Sequence, residues 1–348
     1  GTLTIDGVSE AGADSTLTID SLSADAMPVG SVAIGSDIGA IVSDTDLVSV
    51  SIDAGATVGS VSVSGGSIGT LTLDGGDFAN GPLTINADVG SVEAQGIHAD
   101  LAVNGDVTLL TAQATTGGIT VSGDLDSVSI AGDGVDSDLR GDLTVGGNLG
   151  TLTVADDVEG AVSVSGNVGS LSAGDDFKNG ASVSVGGAVG DITIGGYVDV
   201  GSTITVGGDI ETLETGNDIR GDVTISGNAG TVRVGDDLTD NATLTVEGDI
   251  GTLSINDQVR DGAHVIIGGS AETVSIGRNI VSSSSLTIGG DLGSLSATHS
   301  DGDISIAGNA GTITLEGNGT DSDLKGDLTV GGNLTTLSVG DDIEGAMS

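Results

Sequence analysis

Two internal periods constrain this chain more than any other feature of its sequence. Residues 101–163 recur at 286–348, displaced by 185 positions, and the segment that begins at Asp136 returns almost unchanged at Asp321. A shorter period of about 20 residues runs from about residue 61 to the end. Periods of this size are typical of stacked supersecondary units, each of which contacts its neighbours along the chain. The sequence therefore predicts a repeat architecture.

Residues 143–161 show how one repeat is built. Aliphatic residues alternate with Thr at Leu143/Val145 and again at Leu152/Val154, which is the period-two pattern of strands with one buried face. Gly-Gly-Asn and Ala-Asp-Asp lie between these stretches, and both form turns because Gly accepts positive φ and Asx side chains bond to nearby backbone. No 3.6-residue apolar period occurs. The pattern predicts an all-β fold, a parallel β-solenoid (β-helix) with about 20 residues and two short strands per coil.

The first strand of the coil recurs at nearly constant intervals after residue 143. Successive positions are 19, 21, 21, 19, 21, 21, 21, 18 and 24 residues apart, so nine coils make one 185-residue super-repeat. One coil buries too few aliphatic side chains to offset the cost of ordering its backbone, so stacking has to supply the rest. Residues 1–60 are less regular, and we interpret them as the start of the solenoid or a partial cap. Residues 61–348 are interpreted as a regular solenoid that continues beyond both termini.

Acidic residues dominate the charged positions and exclude several classes of partner. The chain has 51 Asp and Glu against 7 Lys and Arg, a net charge of −44. Nucleic acids and anionic membranes require clusters of basic residues, so we expect no nucleic-acid binding and no membrane insertion. The chain has no cysteine, which excludes disulfides and thiolate metal sites. Halophilic adaptation is an alternative explanation of the high Asp and low Lys content.

Paired acids recur at one turn of the coil, where they would repel one another along the stack unless a cation neutralises them. Basic residues are the first candidate, because five of the seven follow this turn, namely Arg140, Lys178, Arg220, Arg260 and Lys325. Calcium is the second, since it binds carboxylate and carbonyl oxygens. The candidate calcium ligands at these turns are Asp156, Asp157, Asp175, Asp176, Asp236, Asp237, Asp341 and Asp342.

Two 24-residue coils carry an inserted acidic loop, and these loops are the sharpest calcium candidates. Oxygen ligands at alternate positions of a Gly-containing loop suit a hard cation. The candidate ligands in the two loops are Asp133, Asp136, Asp138, Glu316, Asn318, Asp321 and Asp323. The alternative is that these residues form Asx turns in solvated loops. We expect no required cofactor, with Ca²⁺ as the candidate ion.

The Gly-Gly-Asn/Asp turns and Thr/Ser/Val strands of residues 61–348 resemble those of repetitive bacterial surface proteins, such as autotransporter passengers and filamentous adhesins. The resemblance implies an extracellular or cell-surface location and a structural role. The turns resemble the β-rolls of RTX proteins less closely. Gly207-Gly208-Asp209 has the double glycine but places Asp earlier than the RTX repeat does. The calcium ligands of RTX proteins therefore do not transfer to this chain.

Residues that could perform catalysis are few and scattered. The chain has one Tyr, two Phe and no Trp, so the aromatic sugar platforms of solenoid polysaccharide lyases and hydrolases have no counterpart. His98, His264 and His299 occupy unlike positions of the coil, with no nucleophile nearby in sequence. The Gly-Gly turns lack the Gly-Lys-Ser/Thr of a phosphate-binding loop. We therefore predict that the protein is not an enzyme.

The expected function is that of a non-enzymatic extracellular structural protein. It would form a stiff acidic rod (a filament subunit, stalk, surface-layer element or adhesin shaft). Its partners would be further copies, joined end to end or laterally, or a cell-surface or matrix receptor. A calcium-ordered adhesin segment is the first alternative.

An ice-binding solenoid is the second alternative. Thr and Ser alternate on the outward side of the strands, in pairs such as Thr151/Thr153 and Thr312/Thr314. Glu214 and Arg233 interrupt that outward face in two coils. Exposed β faces also favour Thr and Ser in general, so the pattern alone does not single out this function.

Overall fold

A computed structural model describes residues 2–5, 16–19, 29–35, 37–53, 56, 58–78, 81–132, 137–316 and 323–348. Within these residues the protein is an all-β, parallel β-solenoid of about 14 turns without a helix, so the predicted fold is confirmed. No helix in this part of the chain is therefore long and apolar enough to cross a membrane. The chain divides into two compact units, Gly1–Val168 and Gly169–Ser348.

The strands of the first unit are β1 (Thr2–Ile5), β2 (Thr16–Ile19), β3 (Val29–Ile34), β4 (Ile38–Ser43), β5 (Leu47–Ile52), β6 (Val58–Phe78), β7 (Leu83–Ile97), β8 (Leu101–Val103), β9 (Val107–Ala112), β10 (Ala114–Thr115), β11 (Ile119–Val121), β12 (Leu125–Ile130), β13 (Leu143–Val145), β14 (Leu149–Val154) and β15 (Ala161–Val164). The strands that follow, the first of which begins at the last residue of that unit, are β16 (Val168–Ala173), β17 (Ser182–Val185), β18 (Val189–Ile194), β19 (Thr203–Val206), β20 (Ile210–Thr215), β21 (Asp222–Ile225), β22 (Ala229–Val234), β23 (Thr243–Val246), β24 (Ile250–Ile255), β25 (His264–Ile267), β26 (Ala271–Ile276), β27 (Asn279–Ile280), β28 (Ser285–Ile288), β29 (Leu292–Ala297), β30 (His299–Ser300), β31 (Asp303–Ile306), β32 (Ala310–Leu315), β33 (Leu328–Val330) and β34 (Leu334–Val339).

Coils of different length stack in a common register. In the first unit, Leu143 of β13 pairs in parallel with Ile119 of β11 and Val162 of β15, at separations of 24 and 19 residues. In the second unit, Val223 of β21 pairs with Ile204 and with Leu244. The first-strand positions predicted from the sequence are thus the Cα partners within each unit. The variable residues are accommodated at the corners.

Each coil has a third side in addition to the two predicted strands. Here a single residue forms an isolated parallel bridge with the equivalent residue of the adjacent coil, as Leu139 does with Val158 and Val198 with Ile219. Phe177 occupies the same place and is fully buried. The single apolar residue after each acidic turn therefore points inward, as the sequence pattern predicts, and closes the coil.

Aliphatic side chains from the three sides fill the interior. Leu143 and Val145 of β13 are fully buried, whereas the Thr between them is exposed. The same alternation recurs in β14, where Leu152 is fully buried. Because a slip of one residue would move the whole aliphatic set to the outer face, the core holds each strand in register.

Candidate functional site

The corner between the two strands of each coil carries side chains that connect consecutive coils. The Asp, Asn or Ser that ends this turn, in most coils directly after a glycine, accepts through its side-chain oxygen the backbone N–H of the equivalent residue one coil later. Asp124 Oδ1 accepts from Asn148 at 2.7 Å, and Asp209 Oδ1 accepts from Asn228 at 2.7 Å. We call these residues the corner ladder. Its members are Asp88, Asp106, Asp124, Asn148 and Asn167 in the first unit and Asp209, Asn228, Asp249, Ser270, Asp291, Asn309 and Asn333 in the second.

The corner ladder corrects the expectation that these Asx side chains bond to nearby backbone. Their partners lie 18 to 24 residues away in sequence, because each side chain points along the stack toward the next coil, about 4.8 Å away. Asn members add a second bond, as Asn228 does by donating Nδ2–H to Asp209 Oδ1 at 3.2 Å. In the second unit Asp alternates with Asn or Ser, which separates like charges and weakens their repulsion.

The glycine directly before the ladder residue, as in Gly147-Asn148 and Gly248-Asp249, is required by close approach. A Cβ on Gly147 would lie 2.2 Å from Asp124 Oδ1, and one on Gly248 would lie 2.5 Å from Asn228 Oδ1. The expectation that these glycines supply a positive φ is wrong. The described glycines with positive φ are Gly81, Gly180, Gly201 and Gly262. Each Gly-Gly turn is therefore shaped by the side chain of the coil before it.

The two acids of the second, acidic turn have different environments. Asp237 is 7% exposed, whereas the preceding Asp236 is exposed. We call the buried members the inner acids, and they are Asp138, Asp157, Asp218, Asp237 and Asp323. Two adjacent acids in sequence therefore differ in role, and only the inner one belongs to the packed structure.

Bonds to both carboxylate oxygens explain how an inner acid is buried. Asp218 Oδ1 accepts the backbone N–H of Asp237 at 3.1 Å, and Asp218 Oδ2 accepts from Arg220 Nη2 at 2.8 Å. Asp323 repeats the arrangement with the next coil's backbone and with Lys325 Nζ at 3.0 Å. A buried carboxylate with a cation and a backbone donor avoids the cost of an unpaired charge.

The predicted basic stripe therefore lies against the inner acids. The basic residues that contact them are Arg140, Arg220, Arg260 and Lys325. The hydrogen bond that Arg220 donates to Asp218 raises the pKa of Arg220, whose guanidinium also lies 4.2 Å from the ring centroid of Tyr197. The bond from Lys325 lowers the pKa of Asp323 and raises the pKa of the lysine itself. These shifts favour the charged forms of Arg220, Asp323 and Lys325.

Three carboxylates come together at one acidic corner in each unit. One oxygen from each member lies within 4.8 Å of the others. Among the described residues, the groups that lie inside one unit are Asp138, Asp156 and Asp157 in the first and Asp218, Asp236 and Asp237 in the second. Partial desolvation of the Asp236 carboxyl, and then the charges of Asp237 and Asp218, raise the pKa of Asp236. Carboxylate oxygens at this spacing suit Ca²⁺. A calcium ion would compete with Arg220 and Arg260 for the inner acids.

The other predicted calcium ligands lie in different surroundings. Asp175 is exposed, and Asp176 Oδ1 accepts the backbone N–H of Tyr197 at 2.7 Å. Asp341 and Asp342 are exposed. Glu316 accepts a hydrogen bond from Ser338. The inserted-loop positions that lie outside the described residues are Asp133, Asp136, Asn318 and Asp321.

The histidines lie in three different surroundings. The Nδ1 atom of His264 lies 2.9 Å from Ser285 Oγ, a hydroxyl 21 residues away that sequence proximity could not reveal. Asp303 stacks on Ser285, but its Oδ1 accepts a backbone N–H of the next coil at 3.0 Å rather than orienting the imidazole. His98 bonds to a threonine hydroxyl, and His299 lies beside a carboxylate. The serine–histidine contact thus lacks the oriented base that nucleophilic catalysis needs.

An open groove of about 820 Å³ runs beside the corner ladder of the second unit. Asp209, Asp249 and Asp291 line it together with glycines that begin the six-residue strands, such as Gly230 and Gly251. These three Asp side chains already bond the coils together, and Glu272 is a fourth acidic residue in the lining. The groove is therefore an outcome of the ladder geometry.

These features define a class of protein, the parallel β-solenoid repeat proteins, on the strength of the fold. Comparisons with protein-family models, curated proteins and solved structures find no match. The resemblance to bacterial surface proteins accordingly depends on the turn and strand motifs of the sequence. What it implies about function is a matter for proposal.

Proposed function

We propose that the protein is a non-enzymatic extracellular structural protein whose stacked coils act as a stiff acidic spacer, such as a stalk, filament subunit, surface-layer element or adhesin shaft. The observation that carries this proposal is the corner ladder, in which each coil of the second unit from Asp209 to Asn333 bonds to the next by the same side-chain-to-backbone contact. Neighbour-to-neighbour bonding of this kind scales with coil number and makes length a property of the sequence.

The acidic charge is consistent with a spacer that stays solvated. The described inner acids bond to backbone and to basic side chains, while many of the remaining acids are exposed on the outer surface. A large net charge keeps a repetitive protein soluble and resists lateral collapse. Binding partners would then attach to the outer faces or to further copies of the chain.

The cellular location of the protein and its maximum dimension in solution test the proposal of an extracellular spacer. Antibodies against the purified chain should label intact cells of the source organism without permeabilisation. Small-angle scattering of the intact chain should give a maximum dimension that grows with each coil added by duplication, by about 4.8 Å per coil. Labelling that requires permeabilised cells, or a dimension that does not change with coil number, would contradict the proposal.

A calcium-ordered adhesin segment is the second candidate function. The clustering of Asp218, Asp236 and Asp237 favours it, since Asp236 adds a third charge to a corner that holds two inner acids. Calcium at this corner would relieve that repulsion and raise stability by mass action.

Thermal unfolding with calcium and with a chelator separates the two candidates. The plain spacer keeps its unfolding midpoint after chelation, whereas the calcium-ordered protein loses stability. Asp236→Asn serves as the site control, because it should abolish a calcium effect at this corner. The exposed Asp126→Asn belongs to no three-carboxylate group of the described residues and should leave the effect in place.

A further inference from the structure

The outward face of the six-residue strands in the second unit carries two columns of side chains in strict register. The first column contains Thr212, Thr231, Thr252, Thr273, Ser294, Thr312 and Thr336. The second contains Glu214, Arg233, Ser254, Ser275, Ser296, Thr314 and Ser338. Only the pairing register shows which of these residues are neighbours.

The charged interruptions lie together at one end of this face. Glu214 and Arg233 are Cα partners in adjacent coils. Each of the next five coils carries a hydroxyl at both outward positions. We call these ten residues the hydroxyl array, and they are Thr252, Ser254, Thr273, Ser275, Ser294, Ser296, Thr312, Thr314, Thr336 and Ser338.

The hydroxyl array is a two-dimensional lattice supported by buried aliphatic side chains beneath it. Parallel strands repeat at about 4.8 Å along the stack, and alternate residues of one strand lie about 6.6 Å apart. In the first four coils of the array, the residues between the two columns are at most 1% exposed; they are Leu253, Val274, Leu295 and Ile313. Thr side chains are stiff at χ1 because they are β-branched. The positions of the hydroxyl groups are thus set by the sheet.

We propose that the hydroxyl array binds the surface of ice. The array is uncharged in a chain with a net charge of −44, which suits an uncharged partner. Each hydroxyl can donate and accept a hydrogen bond, as each water molecule of an ice plane does. A rigid array meets a crystal with all its groups at once, so weak contacts add without an ordering cost. Liquid water offers no such fixed lattice.

Two carboxylates flank the array. Glu316 accepts a hydrogen bond from Ser338 at its last coil, and Glu272 provides a test in the opposite direction. Glu272 is exposed next to Thr273, at a place where the neighbouring coils have Gly251 and Gly293. A carboxylate here keeps its own hydration shell and holds the crystal surface away. Glu272→Gly restores the residue of the adjacent coils and should strengthen ice binding.

Inhibition of ice recrystallisation by the intact chain is the measurement. Ser294→Lys introduces a charge at the centre of the array, in β29. Thr287→Lys introduces the same charge on an exposed position of β28 in the same coil. The array variant should need a concentration higher by roughly tenfold or more for equal inhibition, equivalent to at least 1.4 kcal/mol. The β28 variant should behave like the parent chain.

Three results would overturn the proposal. The parent chain fails to inhibit recrystallisation, or both lysine variants lose activity equally, or the chain adsorbs to insoluble polysaccharide and not to ice. Far-UV circular dichroism and the unfolding midpoint of each variant show whether it is folded. If Ser294→Lys fails to fold, Ser294→Asp and Glu272→Gly decide the question, because one should weaken and the other strengthen inhibition.

Discussion

Two hydrogen bonds join Asp209 to Asn228 of the next coil: Asp209 Oδ1 accepts the backbone N–H of Asn228 at 2.7 Å and its side-chain Nδ2–H at 3.2 Å. The carboxylate therefore receives two donors from one residue of the next coil. Because the same residue then offers its own Oδ1 to Asp249 at 2.9 Å, the interaction propagates along the stack. The first prediction concerns this link.

Replacing Asn228 by Ala removes both a donor and an acceptor from the corner ladder. The free energy of unfolding should fall by about 1 kcal/mol, the usual net value of a hydrogen bond. Asn228→Ser should lose less, since Ser270 accepts the N–H of Asp291 at 3.1 Å in the same ladder. Urea denaturation followed by circular dichroism measures both, and equal losses would contradict the ladder role.

Gly248→Ala tests whether the glycine before the ladder residue Asp249 is required by close approach. Its Cβ would lie 2.5 Å from Asn228 Oδ1 and 2.6 Å from the carbonyl oxygen of Gly227. Relieving this overlap should cost about 1–3 kcal/mol of unfolding free energy. Gly118→Ala is the matched control, because its nearest neighbour lies at 3.3 Å. If Gly248→Ala leaves the free energy of unfolding unchanged, the corner has room for a Cβ and the close-approach argument is wrong.

Arg220→Met removes the cation that compensates Asp218. The loss of a charged hydrogen bond at a buried carboxylate should cost about 1.5–3 kcal/mol. Tyr197 is the only Tyr in a chain without Trp, so its fluorescence reports this corner directly. The exposed Arg233→Met should change stability by less than about 0.5 kcal/mol. A double variant with Asp218→Asn should recover part of the loss, and full additivity would sink the pairing argument.

The Asp323–Lys325 pair makes stability depend on pH. Its hydrogen bond lowers the pKa of Asp323 in the folded state, so the stabilisation is complete above the carboxyl pKa of the unfolded chain. It is lost as pH falls through the lowered pKa of the folded state. Unfolding midpoints at a series of acidic pH values should therefore fall more steeply for the parent chain than for Asp323→Asn. Parallel curves would exclude this linkage.

Removal of one complete coil should preserve the fold. Deleting residues 223–243 would bring Leu244 onto Ile204, each of which now pairs with Val223. Circular dichroism per residue should stay unchanged. Deleting only residues 223–233 breaks the register and exposes the aliphatic set, so this variant should unfold or aggregate. Equal behaviour of the two deletions would contradict a coil-by-coil architecture.

Much of the fold can be predicted from the sequence, because the coil period and the strand period are both local patterns. Alternation around Leu143 and Leu152 predicts the two strands, and the distances between first strands predict the Cα pairs. The third side of the coil is not predicted by alternation, because one buried residue such as Val198 or Phe177 forms no alternating pattern. A single bridge residue acquires meaning only when coils are stacked.

The candidate site was predicted less completely. The acidic turn and its bases were recognised from sequence, but adjacent residues such as Asp236 and Asp237 look equivalent there. Only the structure shows that Asp237 is 7% exposed and bonds to the next coil's Gln258. From sequence, the double glycine of the other turn suggests a positive φ. Its actual cause is close approach to a side-chain oxygen of another coil, which the local sequence does not show.

The sequence by itself determined the all-β class, the period of the coil and the residues that face the core, because these depend on short-range alternation and repeat spacing. The tertiary structure decided which side chain of one coil meets which backbone group of the next. It also decided that Glu214 and Arg233 lie side by side and leave an unbroken hydroxyl array. Such contacts join residues 18 to 24 positions apart, and stacking alone brings them together.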